Sequence, residues 1–389
     1  MTNDISTKVQ LDVNECNKGK IMGIWLSDIH LLHQRTPTTH ILNNMSTLFF
    51  NKVDMGKLDL VIFGGDIFHR LAENTKDPDF LKIMEWFKKF FGKCVEHNVS
   101  VYILEGTSSH DWGQAKHLDI WKPKGSNIYY IDKIEVIKDR NLGLDILFVP
   151  DNMAVLPTTE IWNLVVKALA ESGLDKVDIT ALHGAFDYQL PPPARKHTHN
   201  QENFESITKY AIYAGHIHIG STNGKVKVSG SFDRISHGEE HPKGAFIFTI
   251  DKDKELLHNE FYENTNALTY VTFKLTPQDT LDEIRAKVER RLREEKMMGA
   301  RFKLQGGSPD VVNGYIDRLK EQYPYFSFEA DNEVDDSIVV DSTLFDKHAY
   351  TGVEINKENI TTMLVNREVM VIESEEEEDY LKEVLKEYL

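Results

Sequence analysis

The sequence predicts a layered α/β domain built on two sheets, followed by a smaller α+β unit. Three observations support this reading. Short apolar runs alternate with amphipathic helical stretches over the first two-thirds of the chain, polar and histidine-rich clusters stand at the ends of several of those runs, and a second strand–helix alternation begins near Thr269.

Residues 21–27 and 58–64 read as buried strands that each end in a polar cluster, and 99–104 is rich in β-branched and aromatic residues. Between them, 79–97 places Phe80, Ile83, Met84, Phe87, Phe90, Phe91 and Val95 at helical spacing. Strands at 144–149 and 177–182 bracket a helix over 159–171. Strands follow at 226–229 and 245–250, and a turn at 251–254 leads to an extended stretch over 258–262. In the second unit 270–275 is a strand. Thr276-Pro277 then opens a helix reaching about Met298, with Thr as cap and Pro in the first turn. A strand over 301–304, a helix from Ser308-Pro309 to Leu319 and a strand over 326–329 complete it. The expected division is an N-terminal extension (1–20), a main domain (21–265), a small α+β domain (266–340) and an acidic tail (341–389). The tail sets Tyr380, Leu381, Val384, Leu385, Tyr388 and Leu389 on one helical face. That face suits either a terminal helix packed on its own domain or a helix that docks a partner.

At 389 residues, 41% hydrophobic and 28% charged, the chain has the composition of a soluble globular protein. No apolar run approaches the roughly 20 residues of a membrane helix. Residues 1–20 are polar and lack an apolar signal core. The two cysteines, Cys16 and Cys94, form no CxxC pair, which leaves no basis for a disulfide scaffold or a thiolate zinc site and fits a reducing cytoplasm. A net charge of −17 argues against a grip on nucleic acid along the whole surface. The charge is uneven, with −6 of it in 373–389, and carboxylate-bound metals would offset more locally.

Five short blocks hold the candidate chemistry: Ser27-Asp28-Ile29-His30, Gly64-Gly65-Asp66-Ile67-Phe68-His69, Ser109-His110-Asp111, Leu182-His183-Gly184 and Gly215-His216-Ile217-His218. Alternation places Asp28 with His30, and His216 with His218, on one side of an extended chain. Carboxylate plus imidazole suits Mn2+, Fe or Zn2+ better than Mg2+ or Ca2+. So many potential ligands exceed the needs of one open site, and a carboxylate can bridge two ions about 3.5–4 Å apart. Each block alone is weak, and a lone histidine such as His183 is more often a core residue. Their joint occurrence at strand ends, where α/β sheets gather ligands, is the signal for a metal site. His237-Gly238-Glu239-Glu240-His241 matches HxxEH, but Gly238 and the following Pro242 deny it the helix that motif needs.

In this order the blocks resemble the signature of the calcineurin-like metallophosphoesterases, over roughly 21–250. Gly65-Asp66-Ile67-Phe68-His69 and the stretch Gly230-Ser231…Arg234…Glu239…Lys243-Gly244 resemble the SbcD and meiotic-recombination nucleases within that superfamily, and phage recombination endonuclease subunits are similar. The resemblance implies a four-layer sandwich of two mixed sheets flanked by helices, with a small α+β capping domain and, at the C-terminus, a helical tail. It implies two divalent ions, with Mn2+ the expected metal. Asp28, His30 and His218 would hold the first, His183 and His216 the second, and Asp66 would bridge them. His110 would stabilise the transition state or protonate the leaving oxygen, Asp111 would orient it, and His69 would assist at the scissile phosphate. The family has asparagine before the catalytic histidine; anchored on His110, that position is Ser109 here, in a loop two residues longer.

The expected activity is duplex exonuclease and single-strand endonuclease action on DNA. In the resembled family the nuclease is a homodimer working with an SMC-like ATPase, which the tail after about Asp341 would dock. The loop over 187–203, with Arg195, Lys196, His197 and His199, is a candidate DNA contact or simply a stiff, solvated proline loop. Alternatives are a cyclic-nucleotide diesterase or phosphoprotein phosphatase with the same metal core, or a weakly catalytic scaffold that binds DNA ends. The expected setting is the cytoplasm, with phage-encoded action in a host cytoplasm included.

Overall fold

The computed structural model describes residues 19–72, 74, 76–151, 156–190 and 198–331. The expectations for residues 1–18 and for the acidic tail lie outside the described residues.

Two six-stranded mixed sheets face each other. In the first, β1 (Lys20–Leu26), β2 (Leu60–Gly64), β3 (Ser100–Leu104) and β4 (Ile128–Ile131) pair in parallel. The chain then enters the second sheet. There β5 (Glu135–Asp139) pairs antiparallel with β6 (Leu144–Val149), and β7 (Val177–His183) and β8 (Thr208–Gly215) extend it in parallel. The short β9 (Ser221–Asn223) and β10 (Val226–Val228) finish that edge. A return crossing adds β11 (Gly244–Asp251) and β12 (Leu256–Glu263) antiparallel beside β1. The sheet orders are β12-β11-β1-β2-β3-β4 and β5-β6-β7-β8-β10-β9.

Strand alternation explains the layering. Trp25, Leu60, Ile62, Tyr102 and Leu104 point toward the second sheet and pack with Phe148, Ile179, Ala181 and Tyr213. Trp25 stacks on Tyr213 with ring centres 5.6 Å apart. The alternate residues Ile24, Leu26, Val61, Phe63, Val101 and Ile103 face outward onto α1 (Thr38–Ser46), its π-helical extension Thr47–Lys52, and α2 (Pro78–Glu96). The helical spacing read in 79–97 buries Phe80, Ile83, Met84, Phe87, Phe90 and Phe91 as expected, whereas Val95 is exposed. On the second sheet, α3 (Thr158–Ser172) buries Ile161, Val165 and Leu169, and its Trp162 meets Phe204 of α4 (Gln201–Ile207) edge-on at 5.3 Å. The result is the expected α/β sandwich with helices on both faces.

A third, all-parallel sheet of β13 (Tyr270–Leu275), β14 (Arg301–Gly306) and β15 (Ser327–Asp331) packs with α5 (Leu281–Glu294) and α6 (Pro309–Gln322) around Phe302, Leu304, Ile284, Val288 and Leu319. Helix α5 starts later than the Thr276-Pro277 reading placed it. The Asp279 carboxylate accepts from the Thr276 amide and hydroxyl at 3.0 and 3.1 Å, closing a turn. The capping box is formed instead by Thr280 and Glu283. This unit meets the main domain through Tyr270, whose hydroxyl lies 2.9 Å from Thr36 Oγ1, and through Glu329, 3.3 Å from His237. Among the described residues no helix is long and apolar enough to cross a membrane.

Candidate metal centre

The histidine and aspartate blocks converge because β1, β2, β3, β7 and β8 all end on one side of the sandwich. The loops after β1 and β2 are zipped together: Gly65 carbonyl accepts from Asp28 N at 3.0 Å, Asp66 carbonyl from His30 N at 3.0 Å, and Leu31 carbonyl from His69 N at 2.7 Å. The Asp28 carboxylate accepts from His216 N at 2.9 and 3.1 Å, which ties the loops of the two sheets together.

This convergence strains the backbone. Asp28 (φ 53°), His30 (53°), Asp66 (50°) and His216 (87°) all occupy the left-handed region, which non-glycine residues rarely adopt. Such strain persists where the surroundings over-determine it, as at ligand sites. Two glycines provide the close approach. A Cβ on Gly65 would strike the His183 ring, and one on Gly106 would strike the Asp66 amide and carboxylate.

Three groups of side chains could hold metal ions: Asp28, His30 and His218; Asp66, His183 and His216; and His30, His69 and His110, with the donor atoms of each group within 4.8 Å of one another. His30 Nε2 and His218 Nε2 are 3.0 Å apart, and His183 Nε2 is 3.3 Å from Asp66 Oδ1. Ligands at right angles around an ion at about 2.1 Å stand about 3.0 Å apart, so the spacing fits shared coordination. The remaining ring nitrogens are committed elsewhere. His183 Nδ1 donates to the Gly64 carbonyl at 2.7 Å, and His218 Nδ1 donates to Glu239 Oε1 at 2.8 Å. Each therefore turns Nε2 to the site, the usual support for a metal-ligating imidazole.

The charges are tuned accordingly. Burial, then His110 and His218, hold His30 well below the usual imidazole range, and burial with His183 lowers His216 to about 4. Burial opposes a charge on His218, but Glu239 and Asp28 outweigh it and push that imidazole up. Burial likewise opposes the Asp66 charge, which His183 stabilises in a close pair.

His110 and His69 lie beside these groups. His110 Nδ1 donates to the His69 carbonyl at 2.9 Å, and the two rings stack with centres 5.1 Å apart. The backbone of His69, rather than Asp111, therefore orients His110. Asp111 was expected in that role; its carboxylate instead accepts from Phe68 N at 2.9 Å and Gly106 N at 2.8 Å, fastening the loops after β2 and β3. His33, which sequence reasoning passed over, flanks His69 at 4.3 Å between ring centres. Its Nδ1 accepts from Arg35 N and Thr36 N, and burial followed by His69 depresses it to about 3.

Ser109 does not take the place assigned to the family asparagine. It is exposed, and Thr107 stands beside Asp66, His183 and His216 instead. The strand end fixes which residue faces the site, so counting forward from Gly106 finds it and counting back from His110 does not. His199 is a second correction. It is 6% exposed, its ring packs on Phe186 and Phe204, and its backbone pairs with Ala185 and Asp187, so it is a core residue and not a surface for DNA. Arg195, Lys196 and His197 lie outside the described residues.

Glu239 and Lys243 carried part of the family resemblance in 230–244 but no role, and the structure sets them behind His218. Lys243 Nζ lies 3.0 Å from Glu239 Oε2 and also donates to the His218 carbonyl at 3.0 Å. Both are buried. His237–His241 is not helical, so its HxxEH spelling is incidental, yet Glu239 within it supports a candidate ligand.

No family model matches the sequence, and no curated protein does. Among solved structures the chain is similar to GAP50, the anchor in the inner membrane complex of Plasmodium, at 11% identity and TM-score 0.41, covering 64% of this chain and 86% of that one. It is also similar to TT1561 of Thermus thermophilus, at 11% identity and TM-score 0.34, covering 62% and 98%. Likenesses at this level carry no functional inference.

Proposed function

We propose that the chain is a metal-dependent phosphodiesterase acting on DNA, a nuclease similar to SbcD among the calcineurin-like metallophosphoesterases. The observation behind the proposal is the pair of adjoining carboxylate–histidine groups, Asp28–His30–His218 and Asp66–His183–His216, held in strained backbone at the strand ends. Their mixed oxygen and nitrogen donors suit Mn2+, and by resemblance Asp66 would serve both of two such ions. Such a pair supplies Lewis acidity and a water activated at neutral pH for in-line attack on phosphorus.

The protein's own groups do the rest. His110 commits Nδ1–H to the His69 carbonyl, so any second proton it takes resides on Nε2, the atom free to protonate the departing oxygen. Stacking on His69 restricts that ring. Glu239 fixes the tautomer of His218, and Gly64 that of His183. The small α+β domain stands against the loop that follows His30, through Thr36 and Tyr270, and would confront a polymeric substrate rather than a small monoester. A homodimer partnered by an SMC-like ATPase, working in the cytoplasm of a bacterial or phage-infected cell, completes the proposal by resemblance.

The test is hydrolysis of end-labelled duplex and single-stranded DNA with Mn2+, beside an Asp66→Ala variant and a generic phosphate monoester. DNA degradation that vanishes in the variant would support the nuclease reading. Monoester cleavage without DNA cleavage would instead establish a phosphatase. Inactivity on every substrate, with and without an ATPase subunit, would leave a scaffold.

A further inference from the structure

The residue between Gly106 and the catalytic-histidine loop raises a question that rests on the metal-dependent reading. Gly106 has no room for a side chain against Asp66, and the next residue faces that carboxylate. Thr107 N donates to Asp66 Oδ1 at 2.6 Å. Thr107 Oγ1 then lies 3.3 Å from Asp66 Oδ2, 3.4 Å from His183 Nε2 and 3.5 Å from His216 Nδ1. These are long for hydrogen bonds, and one hydroxyl proton could serve only one of the three. They are close to the roughly 2.9–3.4 Å that separates neighbouring ligands around one small divalent ion.

A neutral hydroxyl is a weak ligand unless its proton is directed elsewhere. The three groups that converge on the Thr107 hydroxyl are the ones that would hold the second ion, so an ion there would meet its oxygen lone pairs. We propose that the Thr107 hydroxyl is a ligand of the second ion, in place of the family's asparagine amide.

The test is Mn2+ binding by the full-length protein, followed by calorimetry and by EPR of the free ion, with circular dichroism melts as a control for folding. The wild type should bind two ions. Thr107→Val should keep one and weaken the other about 10- to 100-fold, and Thr107→Ser should bind both as the wild type does. Thr107→Asn should bind the second ion tightly. Ser109→Ala should leave both affinities unchanged. Two ions bound equally well by Thr107→Val would overturn this inference alone. A wild type that binds fewer than two ions would overturn it together with the reading on which it rests.

Discussion

Glu239 is 1% exposed, yet it is held as a charged carboxylate. Burial alone would push its carboxyl up, but His218 and Lys243 outweigh burial and hold it well below the usual range. Its removal would leave Lys243 buried without its counter-charge, a loss on the order of 3–5 kcal/mol. Glu239→Gln is therefore expected to lower unfolding free energy by about that much in urea titrations at pH 7. The pH dependence follows from the sign of the shift. A depressed carboxyl stabilises the fold above its unfolded value of 4.5, and the contribution is lost as pH falls toward the folded value. The difference between wild type and variant should thus shrink below pH 4.5, and it should also shrink as pH rises above 6.5 and His218, which Glu239 pushes up, loses its proton. A difference independent of pH would show that Glu239 acts by packing alone. The same residue marks a limit of sequence reading. Asp28, His30, Asp66, His183, His216 and His218 are legible because short motifs place them at strand ends. Glu239 meets His218, and Thr107 meets Asp66, His183 and His216, across long stretches of sequence, and nothing in their local spacing announces those partners.

At the scale of elements, the site depends on strand ends held in place by well-packed helices. Helix α2 begins with Asp77, whose carboxylate accepts from Asp79 N at 2.9 Å and Phe80 N at 3.4 Å, with Pro78 in the first turn. Asp77→Ala should cost about 1 kcal/mol and Asp77→Asn much less, as read from thermal melts. Phe90 is fully buried against Phe49 and Trp86, so Phe90→Ala should cost about 3–5 kcal/mol while a folded remnant retains its metal affinity. Equal damage from Asp77→Ala and Phe90→Ala would contradict this ranking of cap and core. Legibility differed among elements for physical reasons. Helix α2 and strands β1, β6 and β13 have clear periodicity and were evident. Strands β4 and β5 are sheet edges with half-exposed or charged positions, so they lack alternation. Helix α1 hides behind polar residues, because Asn44 is buried to donate to Asp233 at 2.7 Å.

At the scale of the whole molecule, two bodies meet beside the site, and polar contacts define how they meet. Thr36 Oγ1 donates to the Arg234 carbonyl at 2.7 Å and pairs with Tyr270 OH, while the Arg234 guanidinium donates to the Ala267 carbonyl at 3.1 Å. Glu329 meets both His237 and Arg35. Thr36 follows closely after His30 and His33, so the position of the α+β unit is transmitted to the rim of the candidate centre. A substrate small enough to sit on the ligands alone should not sense that unit, whereas a duplex spanning the rim should. Tyr270→Phe removes one hydroxyl and its bond to Thr36, a change of about 1 kcal/mol. If that bond sets how the unit meets DNA, kcat/KM on duplex DNA should fall about 5-fold, with bis-p-nitrophenyl phosphate hydrolysis unchanged. An equal fall on both substrates would show that the contact shapes the ligand loop after β1. No change on either would mean that the α+β unit does not govern access to the site.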